Sequence, residues 1–217
     1  MKIEHQHYLN LVFFCCISIL TWKYLPAQTG EKKIVIDSFR VNASNIVFLL
    51  DVSNSMGQDN KMVLLRKSTE ELLKLLNKKD RISLISFGNT VDLLYNTTSY
   101  SGPDSLLNLI SRIRSTASAT NINGGLSEAY EMAGKNRLKP GINQILLITD
   151  GEFELNKYSR QLVKTDSTIT LTCVIIGKGM AAEKAIRYIT DELKLKVITL
   201  VDEEKDIRRL TEIIRNQ

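Results

Sequence analysis

The sequence alternates short apolar runs with longer segments of helical periodicity, and this alternation constrains the fold more than any other feature. Residues 45–50 form a nearly unbroken apolar run that ends at Asp51, and residues 144–149 form a second run that ends at Asp150. Apolar runs of this length, closed by a polar residue, are typical of strands buried on both faces of a sheet. The segment 61–76 instead places its leucines on one helical stripe. We therefore predict buried strands that are covered by helices.

The same alternation continues to the end of the chain. Helical spacing of apolar residues recurs over 122–133. The remaining strands are predicted at 81–87, 91–94, 169–176 and 196–201, and the remaining helices at 104–113, 155–164, 181–191 and 203–215. The first two of these strands are joined by residues 88–90, a connection short enough for an antiparallel hairpin. Strands separated by helices otherwise require right-handed crossovers, so we expect an α/β fold around a mostly parallel sheet.

The first 27 residues differ from the rest. Lys2 precedes an apolar run, Leu9–Trp22, which is followed by Lys23 and then by a small-residue region at 26–30, with cleavage expected after Ala27. The run is shorter than the roughly 20 residues of a spanning helix, which favours a signal peptide, although a slightly longer segment could act as an uncleaved anchor. We predict that residues 1–27 direct export to the periplasm, the cell surface or the medium, and that residues 28–44 form a linker with a possible leading strand at Ile34–Ile36.

The positions of histidine and cysteine exclude several catalytic classes. His5, His7, Cys15 and Cys16 all lie in the predicted leader, so Cys173 is the only thiol that follows it. A domain without histidine cannot use Ser-His-Asp or Cys-His catalysis, and it has no Cys/His zinc cluster. Its single thiol excludes an intrachain disulfide.

The charge pattern argues against nucleic acid as a partner. The chain has 29 Lys and Arg against 24 Asp and Glu, a formal net charge of +5. The basic residues occur in small groups interleaved with acids, with no continuous basic stripe carrying aromatic residues. We expect no nucleic-acid binding, and membrane contact only through the N-terminal segment if it is not cleaved.

Two polar clusters follow predicted strands. Asp51, Ser53 and Ser55 are spaced by two residues, so an extended or looped backbone can turn their side chains the same way. Asp150 follows the later apolar run. Open α/β sheets bind ligands at the carboxyl ends of their strands, where the strand order reverses. Carboxylates and hydroxyls are hard oxygen ligands, so a site there would suit Mg²⁺ or Mn²⁺.

A third polar segment, residues 118–126, leads into an amphipathic helix and offers another hydroxyl at Thr120. Together the three segments resemble the metal-ion-dependent adhesion site of the von Willebrand factor type A domain. The D-x-S-x-S stretch matches at Asp51, Ser53 and Ser55, the loop threonine at Thr120, and the strand-terminal aspartate at Asp150. Three motifs in order, each at a predicted strand end or helix entrance, make the resemblance specific.

The resemblance covers roughly residues 46–214, and we assign 45–217 to the type A domain. It implies a doubly wound, mostly parallel sheet of about six strands with helices on both faces, and one short antiparallel edge strand at Val91–Leu94. It also implies a Mg²⁺ or Mn²⁺ ion bound by the five matched residues, directly or through water. A protein partner would then supply an Asp or Glu carboxylate to the ion, and no catalysis would be needed.

Two other function classes remain open. Asp51 could be the nucleophile of a metal-dependent hydrolase or phosphoryl-transfer enzyme, although such an enzyme needs a second acid close by, and position 53 is serine. The domain could also be a scaffold whose partner surface is independent of metal. Local roles are possible as well, because Ser53 and Ser55 could cap a helix and residues 150–151 could form an ordinary turn.

Two further features have alternative explanations. Residues 177–182 fit the pattern G-x-G-x-x-A, and Asp202 follows at the end of the next predicted strand, as in dinucleotide-binding folds. That fingerprint normally opens the first unit of its fold, whereas this one comes late in the chain. Cys173 lies within an apolar run, so we interpret it as a buried core thiol rather than a nucleophile.

Overall fold

The computed structural model of the chain describes residues 43–116, 119–201 and 203–215. The predicted leader, the possible strand at Ile34–Ile36 and Asp202 lie outside the described residues. Within the described ranges, no helix is long and apolar enough to cross a membrane.

Within these described ranges, six strands form one mixed sheet at the centre of the fold. They are β1 (Ser44–Asp51), β2 (Arg81–Phe87), β3 (Val91–Thr97), β4 (Ile142–Thr149), β5 (Thr170–Ile176) and β6 (Lys196–Leu200). Their order across the sheet is β3-β2-β1-β4-β5-β6. All neighbours pair in parallel except β2 and β3, which are antiparallel. The predicted α/β fold with a mostly parallel sheet and one antiparallel edge strand is therefore confirmed.

Helices cover both faces of this sheet. They are α1 (Lys61–Lys74), α2 (Asp104–Arg112), α3 (Ile122–Lys135), α4 (Lys157–Thr165), α5 (Met180–Arg187) and α6 (Glu203–Arg215). A 3-10 turn, Asn54–Gly57, follows β1, and a π-helical turn, Tyr188–Glu192, continues α5. In β1, Phe48 and Leu50 belong to the apolar core shared with α1, α2 and α6. Val47 and Leu49 belong to the core shared with α3, α4 and α5.

The edge strand is longer than the sequence indicated. The predicted strand ends at Leu94, but β3 continues to Thr97, which pairs with Ile82 of β2. Most residues of β3 are partly or fully exposed, because one side of an edge strand has no neighbour. Its later residues therefore lack the apolar pattern that marks the buried strands.

Close packing against β2 explains why a glycine stands at position 125 in α3. A Cβ at Gly125 would lie 3.1 Å from side-chain atoms of Phe87 in β2. The absence of a side chain lets α3 approach the sheet closely just after the loop that contains Thr120.

The strand order reverses between β1 and β4. From β1 the chain proceeds outward to β2 and β3, and it then returns to β4 on the other side of β1. Asp51 ends β1, and Thr149 ends β4 immediately before Asp150. The two predicted carboxylates therefore flank the position where open α/β sheets bind their ligands.

Candidate metal centre

Asp51 is a buried carboxylate held by two hydrogen bonds. Its side chain is 1% exposed. The backbone N–H of Ser53 donates to Oδ1 at 2.9 Å, and the hydroxyl of Thr149 donates to Oδ2 at 2.6 Å. Burial raises the pKa of Asp51 above its usual value of 3.8, and the negative charge of Asp150 adds to this, while the bonds from Ser53 and Thr149 act in the opposite direction.

Ser53 and Ser55 place two hydroxyls side by side. Ser53 precedes the 3-10 turn in extended conformation, and its side chain makes no capping hydrogen bond. The two Oγ atoms are 3.3 Å apart. Neighbouring ligands of an octahedral ion with bonds of about 2.0–2.1 Å lie about 2.9 Å apart, so a small movement would bring both hydroxyls onto one ion. The Ser53 side chain does not cap the turn that follows it.

Asp150 is a second buried carboxylate, 3% exposed, directly after β4. The backbone N–H of Glu152 donates to Oδ1 at 3.2 Å, and the Lys61 ammonium donates to Oδ2 at 2.9 Å. Gly151 adopts φ +86°, and a Cβ there would lie 2.3 Å from the Cβ of Ala185 in α5. Only glycine fits this turn, which directs the Asp150 carboxylate to the end of the sheet.

Thr120 lies in a loop that is attached to the same end of the sheet. The backbone N–H of Thr116 donates to the Val52 carbonyl at 2.7 Å, and that of Asn121 donates to the Gly88 carbonyl at 2.6 Å. Val52 follows β1 and Gly88 follows β2, so both sides of the loop meet the carboxyl ends of central strands. Thr120 is half-buried. Among the described residues, no hydrogen bond joins it to the other four predicted ligands.

Three residues at the centre were not predicted from the sequence. Thr149 is fully buried, and its Oγ1 donates to Asp51 while accepting from the Gly151 N–H at 3.0 Å. Lys61 contacts Asp150 and also donates to the Ser55 carbonyl at 3.3 Å. Thr149 couples the ends of β1 and β4, and Lys61 connects α1 to both of them.

Asn123 is the third unpredicted residue. Its Nδ2 donates to the Glu154 carbonyl at 3.4 Å, and its Oδ1 accepts from the Asn156 N–H at 2.9 Å. These bonds tie the first turn of α3, just after Thr120, to the loop that follows Asp150. The sequence signal was an Asn at a helix entrance, which is too common to identify a contact so distant along the chain.

The donors at this centre fit magnesium or manganese. They are two carboxylates, Asp51 and Asp150, with the hydroxyls of Ser53 and Ser55, and all of them are hard oxygen ligands. The centre already attracts a cation, because the Lys61 ammonium lies against the Asp150 carboxylate and the Ser55 carbonyl. Over the described part of the chain, His, Cys, Asp and Glu do not gather in groups of three that could hold a metal.

A groove of about 920 Å³ opens beside the loop that follows Asp150. Gly151, Glu152 and Phe153 line one side of it, and Met180 and Lys184 of α5 line the other. Met180 is 87% exposed, so the rim carries an apolar side chain in solvent. None of the five candidate ligands is among the residues that line this groove.

The two remaining features of the sequence lie apart from this centre. Residues 177–179 follow β5, one strand away from the point where the strand order reverses, and so they occupy a position unlike that of a dinucleotide fingerprint. Cys173 lies in the middle of β5, and complete burial raises the pKa of its thiol to about 12. Its interpretation as a core thiol is confirmed.

Comparison with known proteins identifies relatives of this chain. Escherichia coli (strain K12) uncharacterized protein YfbK is 33% identical over 187 residues, which are 79% of this chain and 32% of that protein. The manganese-loaded TRAP protein of Plasmodium vivax superposes with a TM-score of 0.64 at 19% identity, covering 80% of this chain and 72% of that one. Proximal thread matrix protein 1 of the mussel byssus, with a zinc-occupied MIDAS motif, gives 0.60 at 15% identity, covering 80% and 46%.

The low identities to the two solved structures support the fold alone, and the chain spans about a third of the length of YfbK. The match to a family is more direct. The model of the von Willebrand factor type A domain matches residues 45–214, which include the whole sheet from Asn45 onward and all five predicted ligands. The chain therefore belongs to the von Willebrand factor type A domain family.

Proposed function

We propose that Asp51, Ser53, Ser55, Thr120 and Asp150 bind Mg²⁺ or Mn²⁺, and that the chain uses the bound ion to attach to a carboxylate of a protein partner. The proposal rests on one observation above all. Two serine hydroxyls, 3.3 Å apart, follow the buried carboxylate of Asp51, and a second buried carboxylate, Asp150, follows the neighbouring strand at the point where the strand order reverses. The manganese and zinc ions named for two structural relatives support it.

The composition of the centre explains why a partner carboxylate is expected. Hydroxyl oxygens are neutral, so they reduce the positive charge of a bound ion less than carboxylates would. A divalent cation bound mainly by such oxygens retains affinity for one more anionic oxygen. The groove beside the loop that follows Asp150 gives the rest of the partner's segment a surface to contact.

We further propose that the domain is not an enzyme, because domains of this family typically mediate interactions. With Asp51 as the nucleophile, position 53 is serine rather than a second acid, and Asp150 is paired with Lys61, so neither residue is suited to protonate a leaving group. A phosphate-ester assay in magnesium tests this. Turnover of para-nitrophenyl phosphate that Asp51→Asn abolishes would overturn the proposal and support the phosphoryl-transfer alternative.

Export remains part of the proposal, on the basis of Lys2 and the apolar run at Leu9–Trp22. Expression in a bacterial host, followed by cell fractionation and determination of the N-terminal residue, would test it. A protein that is recovered from the cytoplasm with Met1 intact would contradict both a cleaved leader and an exported anchor.

Metal binding can be measured without a known partner. Calorimetric titration of the full-length protein with MgCl₂ and MnCl₂ should show uptake of one ion. Ser53→Ala and Asp150→Ala should both weaken it, whereas Ser111→Ala, which changes an exposed hydroxyl on α2, should not. A protein with all five residues intact that takes up neither ion at millimolar concentration would refute the proposed function.

Carboxylate binding to the ion is tested with acetate as the probe. Mn²⁺ bound to the protein accelerates the relaxation of water protons, and acetate that replaces bound water should reduce this effect. Acetamide, which has nearly the same shape and no charge, serves as the control. An equal response to acetate and acetamide would show that the ion does not select an anion. Partner capture that survives chelation would instead support the metal-independent scaffold.

A further inference from the structure

Lys61 brings a positive charge to the candidate metal centre. It is the first residue of α1, and its ammonium donates to Asp150 Oδ2 at 2.9 Å and to the Ser55 carbonyl at 3.3 Å. Its side chain is only 13% exposed. A Cβ at Gly177 would lie 3.6 Å from Lys61 Cε, so the lysine stem runs along the backbone that follows β5. Two segments therefore bind the ammonium, and a third lies against the stem of the side chain.

The position is unfavourable for a cation on local grounds. The amino end of a helix has a partial positive charge, which favours an acid in the first turn and disfavours a lysine. Helix α1 has no acid in its first turn and begins with Lys61 instead. The stability of the helix thus gives no reason for this residue, whereas its pairing with a predicted metal ligand does.

Lys61 also changes the net charge that a divalent ion meets. Asp51 and Asp150 contribute two negative charges and Lys61 one positive charge, so the three side chains sum to −1. A divalent cation raises this net charge to +1, and one partner carboxylate then brings it to zero. Without Lys61 the net charge would be −2 for the empty centre, 0 with the divalent ion bound, and −1 with both ion and carboxylate bound. The lysine therefore makes the loaded centre positive, when it would otherwise be neutral.

We propose that Lys61 weakens binding of the divalent ion and strengthens the subsequent binding of a carboxylate, so that ion and carboxylate favour each other's binding. The inference rests on the proposed function, because it concerns the same centre. The ammonium and the ion repel each other and compete for the charge of Asp150, and partly buried charges of this kind are only weakly screened by salt. Once both cations are present, their excess positive charge favours an anion.

A merely structural role for Lys61 predicts the opposite effect on the ion. If the ammonium only held Asp150 in position, its removal would loosen that carboxylate and weaken metal binding. The sign of the change in affinity therefore separates the two roles. A positioning role also gives no reason for acetate binding to change once the ion is saturating.

The test compares Lys61→Gln with Lys74→Gln in the full-length protein. Lys74 is an exposed lysine of the same helix that pairs with Glu71, so its substitution removes the same charge away from the centre. In titrations with MgCl₂, Lys61→Gln should bind about tenfold more tightly than the wild type, and Lys74→Gln should be unchanged. Equal or weaker binding by Lys61→Gln would overturn the inference.

Two further measurements test the rest of the proposal. With Mn²⁺ saturating, acetate should bind more weakly to Lys61→Gln than to the wild type. Unchanged acetate binding would refute the claim that Lys61 strengthens carboxylate binding. In chelator, Lys61→Gln should melt at a lower temperature because Asp150 loses its partner, and added Mg²⁺ should raise its Tm more than that of the wild type. A smaller Mg²⁺-induced rise would contradict tighter binding.

The outcomes for the two proposals can be distinguished. If the wild type takes up neither ion, the proposed function fails and this inference fails with it. If the wild type binds the ion and Lys61→Gln does not bind it more tightly, only the inference fails. Lys61→Met, which keeps most of the stem and removes the charge, replaces Lys61→Gln if that variant does not fold, and the same result is expected of it.

Discussion

Replacing Thr149 by valine should weaken metal binding much more than the same substitution elsewhere in the sheet. Valine keeps the shape of the side chain, but it removes the hydroxyl that donates to Asp51 and accepts from the Gly151 N–H. A hydrogen bond to a charged group contributes about 1.5–3 kcal/mol, and the unpaired Gly151 N–H costs about 1 kcal/mol more. The free energy of unfolding should therefore fall by roughly 3 kcal/mol.

The effect on metal affinity follows from the same bond. Thr149 orients the Asp51 carboxylate and stabilises its charged form, which is the form that binds a cation. Loss of a hydrogen-bond partner behind a metal ligand typically costs about 10–100-fold in affinity. Urea denaturation in chelator measures the loss of unfolding free energy, and calorimetric titration with MgCl₂ measures the loss of metal affinity.

Thr172→Val is the matched control. Thr172 is fully buried in β5, and its hydroxyl accepts a neutral hydrogen bond from Gln144 Nε2 at 3.2 Å. This variant should lose about 1 kcal/mol of stability and none of its affinity for Mg²⁺. If Thr149→Val and Thr172→Val lose equal affinity, the hydroxyl of Thr149 has no specific role and the argument is wrong.

Three other predictions follow from the described contacts. Because the pKa of Asp51 is raised in the folded protein, its ionisation destabilises the metal-free fold at neutral pH, and acidification relieves that destabilisation. Protons should therefore compete with Mg²⁺ for Asp51 at a higher pH than for an ordinary Asp. Mg²⁺ affinity that falls only near pH 3.8, in titrations at stepped pH, would contradict this prediction. Cys173 should resist iodoacetamide at pH 8 until the protein is unfolded, as measured by the mass of its peptide; rapid alkylation of the native protein would refute its burial. Gly151→Ala should destabilise the fold by at least about 2 kcal/mol, because of its positive φ and its approach to Ala185. Gly134 in α3 has open space around it, so Gly134→Ala should stabilise the fold by about 0.5 kcal/mol in urea denaturation. Changes of the same sign in the free energy of unfolding of the two glycine variants would be inconsistent with the packing.

Most of the fold could be predicted because its central elements have strong and unambiguous periodicity. The bounds of β2 (Arg81–Phe87) and α6 (Glu203–Arg215) agree with those expected from the sequence. Helix α4 begins at Lys157 rather than Leu155, because the Asn156 side chain accepts a hydrogen bond from Ser159 N–H and so fixes the first turn. Differences of this kind depend on a cap or an edge position, which an apolar pattern does not record.

The candidate ligands could be predicted for a similar reason. Asp51, Ser53 and Ser55 are close in sequence, and Asp150 ends a run that is recognisably a buried strand. Lys61 could not be predicted, because its ion pair spans 89 residues of sequence and lysines on helices are usually solvated. From the sequence alone, Thr149 is only the last residue of a predicted strand. Its role depends on which strand is the neighbour of β1, and that is a property of the topology.

Thr149 and Lys61 also show how the chain folds with two carboxylates so close together. Asp51 is surrounded by neutral donors, while Asp150 is paired with an ammonium, so the two carboxylates do not depend on an ion to offset their repulsion. The two apolar cores on either side of the sheet contain none of the predicted ligands. A metal ion would therefore stabilise the fold only through its binding equilibrium, by about 2.7 kcal/mol at 100 times its Kd. This differs from a structural zinc site, whose metal is required for folding.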